Sequence, residues 1–294
     1  MNFENKKRVI VVLGMHRSGT SAITRGLQAL GVDLGSSLLP PVQDDNEKGY
    51  YEDVEFNRLN IDILNALGRD WYSLSPIPDA AFNQEILAPF MLRAIEMMRA
   101  KIGDRPFGLK DPRFGRLLPF WRPIFDHLGL TPSYLIAIRH PISVAKSLAS
   151  GKRGEIKDEK SYYLWLEHVL DAYLGTYGVD RVVVDFDLLM ADPQLQLARI
   201  AKALNFQFSP DSSAIKEYIG EFLDAKLRHT QFELEDLHID PAVPVDVIDA
   251  YEATMRLARD ELDIDAPEAS DIFGQLSSRL QSMRPALNYM TFLE

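Results

Sequence analysis

A glycine-containing loop near the start of the chain carries residue types that bind anions. Residues 11–27, VVLGMHRSGTSAITRGL, have the pattern of a buried strand, a tight turn and the first turns of a helix. Backbone N–H groups at a helix N-terminus attract negative charge, helped by the helix dipole. Arg17 adds a planar guanidinium suited to phosphate or sulfate oxygens, and Thr20 and Ser21 add hydroxyl donors. The residues predicted to offer N–H groups to an anion are Ser18, Gly19, Thr20 and Ser21.

The loop departs at one position from the phosphate loop of nucleoside triphosphatases, G-x-x-x-x-G-K-[ST]. Thr20 stands where that pattern has the lysine that reaches the β- and γ-phosphates. Its absence favours a ligand with one phosphate at its 5′ side, or a mixed anhydride of that phosphate. A strand–turn–helix connection that binds nothing is the alternative, and the agreement of Arg17 with the two hydroxyls speaks against it.

A second segment, IAIRHPISVAKSLASGKR, offers another anion site. It begins as a strand that places Arg139 at its carboxyl end, and Pro141 then occupies a favoured position for starting a helix. Ser147 follows about two helical turns later, so guanidinium and hydroxyl can converge on one group. Taken alone, such an arginine is more often a surface residue or part of a structural ion pair.

Four apolar runs predict buried parallel strands, at residues 8–13, 106–110, 133–139 and 181–186. Helical patterns alternate with them: the first follows the loop, the second has a break or kink at Pro89, the third ends at Gly178 and the fourth starts after Asp192. This order predicts an α/β protein, a P-loop-type three-layer α/β/α fold with a central, mainly parallel sheet. Ligands then bind at the carboxyl ends of the strands, where both anion motifs fall.

The rest of the chain is assigned to the same single domain. Residues 32–53 are rich in glycine, proline and aspartate and predict a long functional loop. We expect a core at about residues 8–206 and a helical C-terminal extension at 207–294.

Composition limits the function further. The 294 residues are 46% hydrophobic, enough for a large core, and the net charge of −11 argues against a nucleic-acid partner. The absence of cysteine excludes disulfides and thiolate chemistry. No apolar run has the length of a transmembrane segment and the N-terminus lacks the pattern of a signal peptide, so a cytoplasmic protein is expected.

The two motifs together resemble those of sulfotransferases that use 3′-phosphoadenosine 5′-phosphosulfate (PAPS), and especially the bacterial members. In that family a lysine-free loop, here residues 17–21, holds the 5′-phosphosulfate. An R-x-P-x-x-V-x-x-S segment, here Arg139, Pro141, Val144 and Ser147, holds the 3′-phosphate. The segments LKDPRFGRLLPFW, NEKGYYED and VVVDFDLLMADPQLQLARIAKALNF also resemble family stretches. The resemblance covers about residues 8–206, and its motifs are specific only in combination.

The resemblance implies sulfuryl transfer from PAPS to an acceptor hydroxyl, with adenosine 3′,5′-bisphosphate (PAP) as product and no metal required. It implies a small-molecule donor and suggests a carbohydrate or glycolipid acceptor. Arg17 and Lys110 would stabilise charge, and Glu52 is the favoured general base over Asp53, Glu55 and His16. The alternatives are a solvated carboxylate for Glu52 and an ion pair with Asp111 or another carboxylate for Lys110.

Two further residues could contact the donor. His16 lies inside the loop and could touch the donor, although a packed loop histidine is an equal alternative. Arg228, with His229 in the segment KLRHTQF, could close over the 3′-phosphate as a basic C-terminal segment does in relatives. A solvated basic patch is the commoner reason for such a cluster.

Two other functions stay open. A P-loop nucleotide kinase or triphosphatase shares the fold, but it would need magnesium and a lysine from elsewhere in the chain. A catalytically inactive relative would bind a nucleotide or glycan without turnover.

Overall fold

The core of the molecule is a parallel sheet. The computed structural model describes residues 7–43, 45–74, 76–150, 156–224 and 232–292. Within these ranges, four parallel strands form one sheet in the order β2–β1–β3–β4. The strands are β1 (Arg8–Leu13), β2 (Phe107–Lys110), β3 (Thr131–Ile138) and β4 (Arg181–Asp185). All four predicted strands are confirmed, with ends that differ by at most two residues.

Both faces of the sheet are covered. Along β1, Val9 and Val11 belong to one buried apolar cluster, whereas Ile10 and Val12 belong to another. Successive side chains of a strand point to opposite faces, so the two clusters lie on opposite sides of the sheet. The predicted three-layer α/β/α arrangement is therefore confirmed.

Helices form the outer layers. In the described residues they are α1 (Thr20–Ala29), α2 (Val54–Ala66), α3 (Ala88–Lys101), α4 (Leu118–His127), α5 (Pro141–Ala149), α6 (Asp158–Leu174), α7 (Phe186–Ala191), α8 (Pro193–Ala203), α9 (Ser213–Glu217), α10 (Leu234–Ile239), α11 (Val245–Ala258), α12 (Pro267–Ser282) and α13 (Arg284–Phe292). Within the part of the chain that the structure describes, none of these helices is long and apolar enough to cross a membrane.

The two layers draw on different helices. Ile23 of α1 and Leu197 of α8 pack on one face. Phe56 of α2, Trp121 of α4 and Trp165 of α6 pack on the other. The C-terminal helices join this second face, where the ring of Phe273 in α12 stacks on Tyr173 of α6 at a centroid distance of 3.9 Å. The helical extension thus shares the core of the sheet rather than forming a separate one.

Two helix ends differ from the sequence prediction. Pro89 lies in the first turn of α3, after a short 3₁₀ turn at Glu85–Leu87, so it starts the helix instead of kinking it. Helix α6 ends at Leu174, and Gly178 lies in the turn that follows, with a φ of 73°. The predicted helix end at Gly178 is wrong by one turn, since residues 175–178 form a turn after the helix. The predicted start of α8 is confirmed, since the side chain of Asp192 accepts the N–H of Leu195 at 2.9 Å.

The segment between α1 and α2 has little regular structure of its own. Isolated bridges pair Leu38 with Asp53 and Val42 with Asn46. This arrangement lets the segment run over the carboxyl ends of β1 and β2. It delivers several polar side chains to that edge of the sheet.

Candidate active site

The turn between β1 and α1 has a left-handed backbone at three positions. The φ angles are 140° at Gly14, 69° at Arg17 and 76° at Gly19. A Cβ atom at Gly19 would lie 2.2 Å from the ring of Phe186, so that position also needs glycine for space. Arg17 is not glycine, and its left-handed conformation costs about 1–2 kcal/mol. Such strain persists where the surroundings fix the conformation, and it is common at functional sites.

Most of the predicted residues line one cavity of about 180 Å³ at the carboxyl ends of the strands. Those in its wall are His16, Arg17, Gly19, Thr20, Ser21, Glu52, Lys110, Arg139 and Ser147. Ser18 has another place: its side chain is buried and its N–H donates to the carbonyl of Met15 at 3.2 Å, which closes the turn. Arg228 and His229 lie outside the described residues.

The two anion motifs meet directly. The Nε of Arg17 donates to the hydroxyl of Ser147 at 2.8 Å, across 130 positions of sequence. Arg139 Nη1 donates to the carbonyl of Arg17 at 3.4 Å, and its guanidinium lies 4.8 Å from the ring centroid of Phe186. Because α5 starts at Pro141, directly after the strand that presents Arg139, its second turn brings Ser147 back to the loop. Arg139 and Ser147 thus each contact Arg17 and line the same cavity, and their shared binding of one anionic group stays a prediction.

Glu52 and Lys110 form a buried ion pair. Lys110 Nζ donates to Glu52 Oε1 at 2.6 Å, and the two side chains are only 3% and 7% exposed. The same ammonium donates to the carbonyl of Tyr50 at 3.0 Å and to the hydroxyl of Ser21 at 3.4 Å. Burial raises the pKa of the Glu52 carboxyl, and the charge of Lys110 opposes that rise. Glu52 is therefore not a solvated carboxylate. Lys110 forms an ion pair with a carboxylate other than Asp111, which is one of the alternatives that the sequence left for it.

The other candidate bases are placed differently. Asp53 caps the N-terminus of α2, accepting the N–H of Glu55 at 2.9 Å, and also accepts from Lys101 at 2.7 Å. Glu55 is exposed and pairs with Lys101 at 2.6 Å. His16 lines the cavity, where its ring lies 4.4 Å from that of Trp71. Of the three carboxylates considered, the structure brings Glu52 to the cavity wall.

A buried polar chain lies behind the ion pair. Asp111 Oδ1 accepts from the guanidinium of Arg113 at 3.0 Å and from its N–H at 2.8 Å. Asp111 Oδ2 accepts from Asn60 at 3.2 Å and from Asn57 at 3.4 Å. Neither asparagine was predicted from the sequence. Two amides three positions apart, as they lie on one face of α2, were the signal that could have found them.

The long loop supplies side chains that were also missed individually. Asp45 accepts from Arg17 Nη1 at 2.7 Å and from the hydroxyl of Tyr50 at 2.5 Å. Asn46 donates to the hydroxyl of Ser21 at 3.1 Å, and Lys48 donates to the carbonyl of Phe222. These residues had no helical or strand pattern to mark them. Further residues of the cavity wall that were not predicted are Trp71, Pro112, Leu148, Ile156, Phe186 and Phe222.

Metal chemistry has no ready donor set in this region. Across the described ranges, no group of three or more histidine, aspartate or glutamate side chains could hold a metal ion. The cations that line the cavity are Arg17, Lys48, Lys110 and Arg139, and the acids are Asp45 and Glu52. The arrangement can bind an anion and hold a partly desolvated carboxylate beside it.

Comparisons with known proteins give structural neighbours only. No family model matches the chain, and no curated protein matches it. Among solved structures, the chain is similar to the sulfotransferase domain of the olefin synthase of Synechococcus PCC 7002, with 19% identity, a TM-score of 0.49 and coverage of 86% of this chain and 96% of that one. It is also similar to a sulfotransferase domain from the curacin biosynthetic pathway, with 16% identity, a TM-score of 0.39 and coverage of 92% and 98%.

Proposed function

We propose that the protein is a sulfotransferase that transfers a sulfuryl group from PAPS to an acceptor hydroxyl. The observation that carries the proposal is the contact of Arg17 with Ser147, which joins two distant anion motifs in one cavity beside the Glu52–Lys110 pair. Neither motif alone identifies a ligand. A nucleotide that bears anionic groups on both its 5′ and 3′ sides accounts for both.

The donor would be held at its two ends. The N-terminus of α1, with the hydroxyls of Thr20 and Ser21, suits the 5′-phosphosulfate. Arg139 and Ser147 suit the 3′-phosphate, and Arg17 of the 5′-side loop contacts both of these residues. Phe186 and Phe222 add aromatic surface to the same cavity, which an adenine ring could contact.

The reaction needs one proton acceptor and several cations. The acceptor oxygen forms a bond to sulfur, the bond between sulfur and the 5′-phosphate oxygen breaks, and PAP leaves. The hydroxyl proton passes to Glu52, whose raised pKa suits a general base. Lys110 and Arg17 offset the negative charge of the transferring group and the leaving phosphate, so the residues supply the roles usually sought in such displacements without a metal.

A carbohydrate or glycolipid hydroxyl is the acceptor we propose. This acceptor follows the family resemblance of the motifs. Trp71 lines the cavity, but most of its side chain is buried against His16 and Tyr72. We further propose that the protein works in the cytoplasm on a small-molecule donor and has no nucleic-acid partner.

A ligand-binding comparison tests the donor. Thermal stability is measured with PAP and EDTA, and separately with ATP and magnesium. A sulfotransferase is stabilised by the bisphosphate without metal, whereas stabilisation by ATP–magnesium alone would indicate a nucleotide kinase or triphosphatase. Tight binding of PAP with no transfer from PAPS to any member of a broad acceptor panel would indicate an inactive relative.

Variants then test the individual roles. Arg17→Ala and Ser147→Ala should each weaken PAP binding in calorimetry, by about tenfold for one lost charge-assisted hydrogen bond. Ser150→Ala is the matched control for Ser147, because Ser150 is exposed and its hydroxyl donates to the Ser147 carbonyl. Glu52→Gln should keep PAP binding and lose turnover. Full turnover by this variant would show that Glu52 is not the general base.

A further inference from the structure

We infer that Asn57 is a positioning residue that holds the Glu52 carboxylate in place for proton transfer. The inference rests on the proposed function for the step that Glu52 performs, but not for the contact itself. Asn57 Nδ2 donates to Glu52 Oε2 at 2.7 Å, while Lys110 donates to Oε1 at 2.6 Å. Each carboxylate oxygen is thus held by one donor and keeps a second lone pair for a proton.

The neighbours of Asn57 fix which way its amide points. The same Nδ2 group faces Asp111 Oδ2 at 3.4 Å, so rotating the amide by half a turn would set its carbonyl against two carboxylates. Asp111 is fully buried and is held in turn by Arg113 and Asn60. The orientation of Asn57 is therefore set by the buried carboxylate of Asp111.

The far end of the chain of hydrogen bonds is anchored in the core. The Trp121 indole N–H donates to Asn60 Oδ1 at 2.9 Å, and Asn60 is fully buried. Asparagine is a poor residue for a helix interior, and a buried amide must find partners. Asn57 and Asn60 sit three positions apart on α2, so both reach Asp111 from the same helix face.

The charges that face Glu52 explain why a neutral donor is useful there. Lys110 on β2 and Arg113 after it favour the ionised carboxylate, whereas Asp111 and burial disfavour it. A second cation in place of Asn57 would lower the proton affinity of the base, and an acid would repel it. An amide fixes the position of the carboxylate with a smaller electrostatic effect.

The experiment titrates Glu52 directly. Proteins with ¹³C-labelled glutamate carboxyls are followed by NMR across pH, and the Glu52 signal is assigned by its loss in Glu52→Gln. In Asn57→Ala the pKa of Glu52 should rise by about one to two units, because a hydrogen bond to the charged form is lost. Asn57→Asp preserves the side-chain shape and should raise that pKa further, so it keeps the test decisive if the alanine variant does not fold.

The pH profile of kcat distinguishes a positioning role from a structural one, because loss of a merely structural residue would not shift it. Asn57→Ala should lower kcat by about 10- to 100-fold, move its acid limb upward with the Glu52 pKa and leave the PAP dissociation constant within about twofold. The matched control is Asn60→Ala, which removes the other amide on Asp111 without touching Glu52. This control should leave the Glu52 pKa in place even where it lowers thermal stability.

The outcomes separate the two proposals. An unchanged Glu52 pKa in both Asn57 variants, or an equal shift in Asn60→Ala, overturns the positioning role. If the Asn57 variants shift the Glu52 pKa but the wild-type protein never transfers a sulfuryl group, the proposed function is refuted. Asn57 would then position the Glu52 carboxylate in a protein that does not catalyse this reaction.

Discussion

The guanidinium of Arg17 lies 2.7 Å from the carboxylate of Asp45, so the strained arginine of the anion loop already faces an internal anion. The hydroxyl of Tyr50 donates to the other oxygen of that carboxylate at 2.5 Å and steadies it there. Asp45 belongs to the long loop, whereas Arg17 belongs to the turn after β1. A phosphate or sulfate that binds Arg17 must compete with this carboxylate or be repelled by it.

We therefore expect Asp45→Asn to bind PAP more tightly than the wild type. The side chains of the pair are 30% and 21% exposed, so its strength is about 1 kcal/mol and the gain about three- to tenfold. Calorimetry at low salt measures it. Asp62→Asn is the control, since it removes the same charge from an ion pair with Arg93 on the surface of α2. Weaker binding in Asp45→Asn would show that Asp45 helps to build the site instead of competing for it.

A second prediction concerns the space around Gly19. Gly19→Ala should destabilise the fold and weaken PAP binding, because a Cβ atom there meets the ring of Phe186 that also packs on Arg139. Gly31→Ala is the matched control: Gly31 has a φ of 93° but open space around it, so it carries only the backbone cost of about 1–2 kcal/mol. Urea unfolding compares the two. If both variants lost the same free energy of unfolding, the contact with Phe186 would contribute nothing beyond the backbone cost.

The sequence predicted those parts of the site that depend on local pattern. Buried strands and the helices after them are short-range features, and Arg139 follows from its position at the end of β3. Arg17 follows from the loop pattern after β1, whereas Lys110 was implied by the family resemblance. Asp45 could not be found this way, because its role depends on how a loop without periodicity crosses the sheet. Asn57 was hidden for another reason: its partner Asp111 lies 54 positions away, and only the packing of α2 on the segment after β2 brings them together.

The assignment of the base shows the same limit. Glu52, Asp53 and Glu55 are equivalent as a sequence pattern, since all three precede or begin a helix. Their roles separate only when Lys101 and Lys110 take different carboxylates as partners. The pairing is set by the position of α3 and β2, which local sequence does not determine.

A third prediction uses the titration of Asp185. This carboxyl at the end of β4 caps α7, and burial raises its pKa to about 7 from an ordinary 3.8. Between these values the unfolded chain loses the proton while the folded protein keeps it. The free energy of unfolding then falls as pH rises from about 4 to 7, by up to about 1.4 kcal/mol per pH unit.

Asp185→Asn keeps a capping oxygen and removes this titration. Its free energy of unfolding should therefore fall less steeply with pH, and the variant should be more stable than the wild type at pH 8. Denaturant unfolding at pH 4.5, 6 and 8 measures the change. Asp192→Asn is the control, because the exposed Asp192 caps α8 with a hydrogen bond of the same length, 2.9 Å. If the free energy of unfolding of Asp185→Asn fell with pH as steeply as that of the wild type, Asp185 would not be the group responsible for the fall.

The last prediction concerns the energetics of the Glu52–Lys110 pair. Lys110→Met should leave the Glu52 charge buried without its cation, which costs about 3–5 kcal/mol of stability. The double variant Lys110→Met/Glu52→Gln removes both charges and should recover most of that loss, although it should lack transferase activity. A double-mutant cycle by urea unfolding measures the coupling between the two side chains.

The matched control is the ion pair of Arg256 and Glu268, whose Nη1 and Oε1 atoms lie 2.7 Å apart. Its distance is similar to that of the Glu52–Lys110 pair, but its side chains are exposed. Its cycle should give a much smaller coupling, because water screens both partners. If the Lys110→Met protein were as stable as the double variant, Glu52 would be protonated without its partner at little cost. Burial alone would then hold the carboxyl ready, and Lys110 would act on the anion rather than on the base.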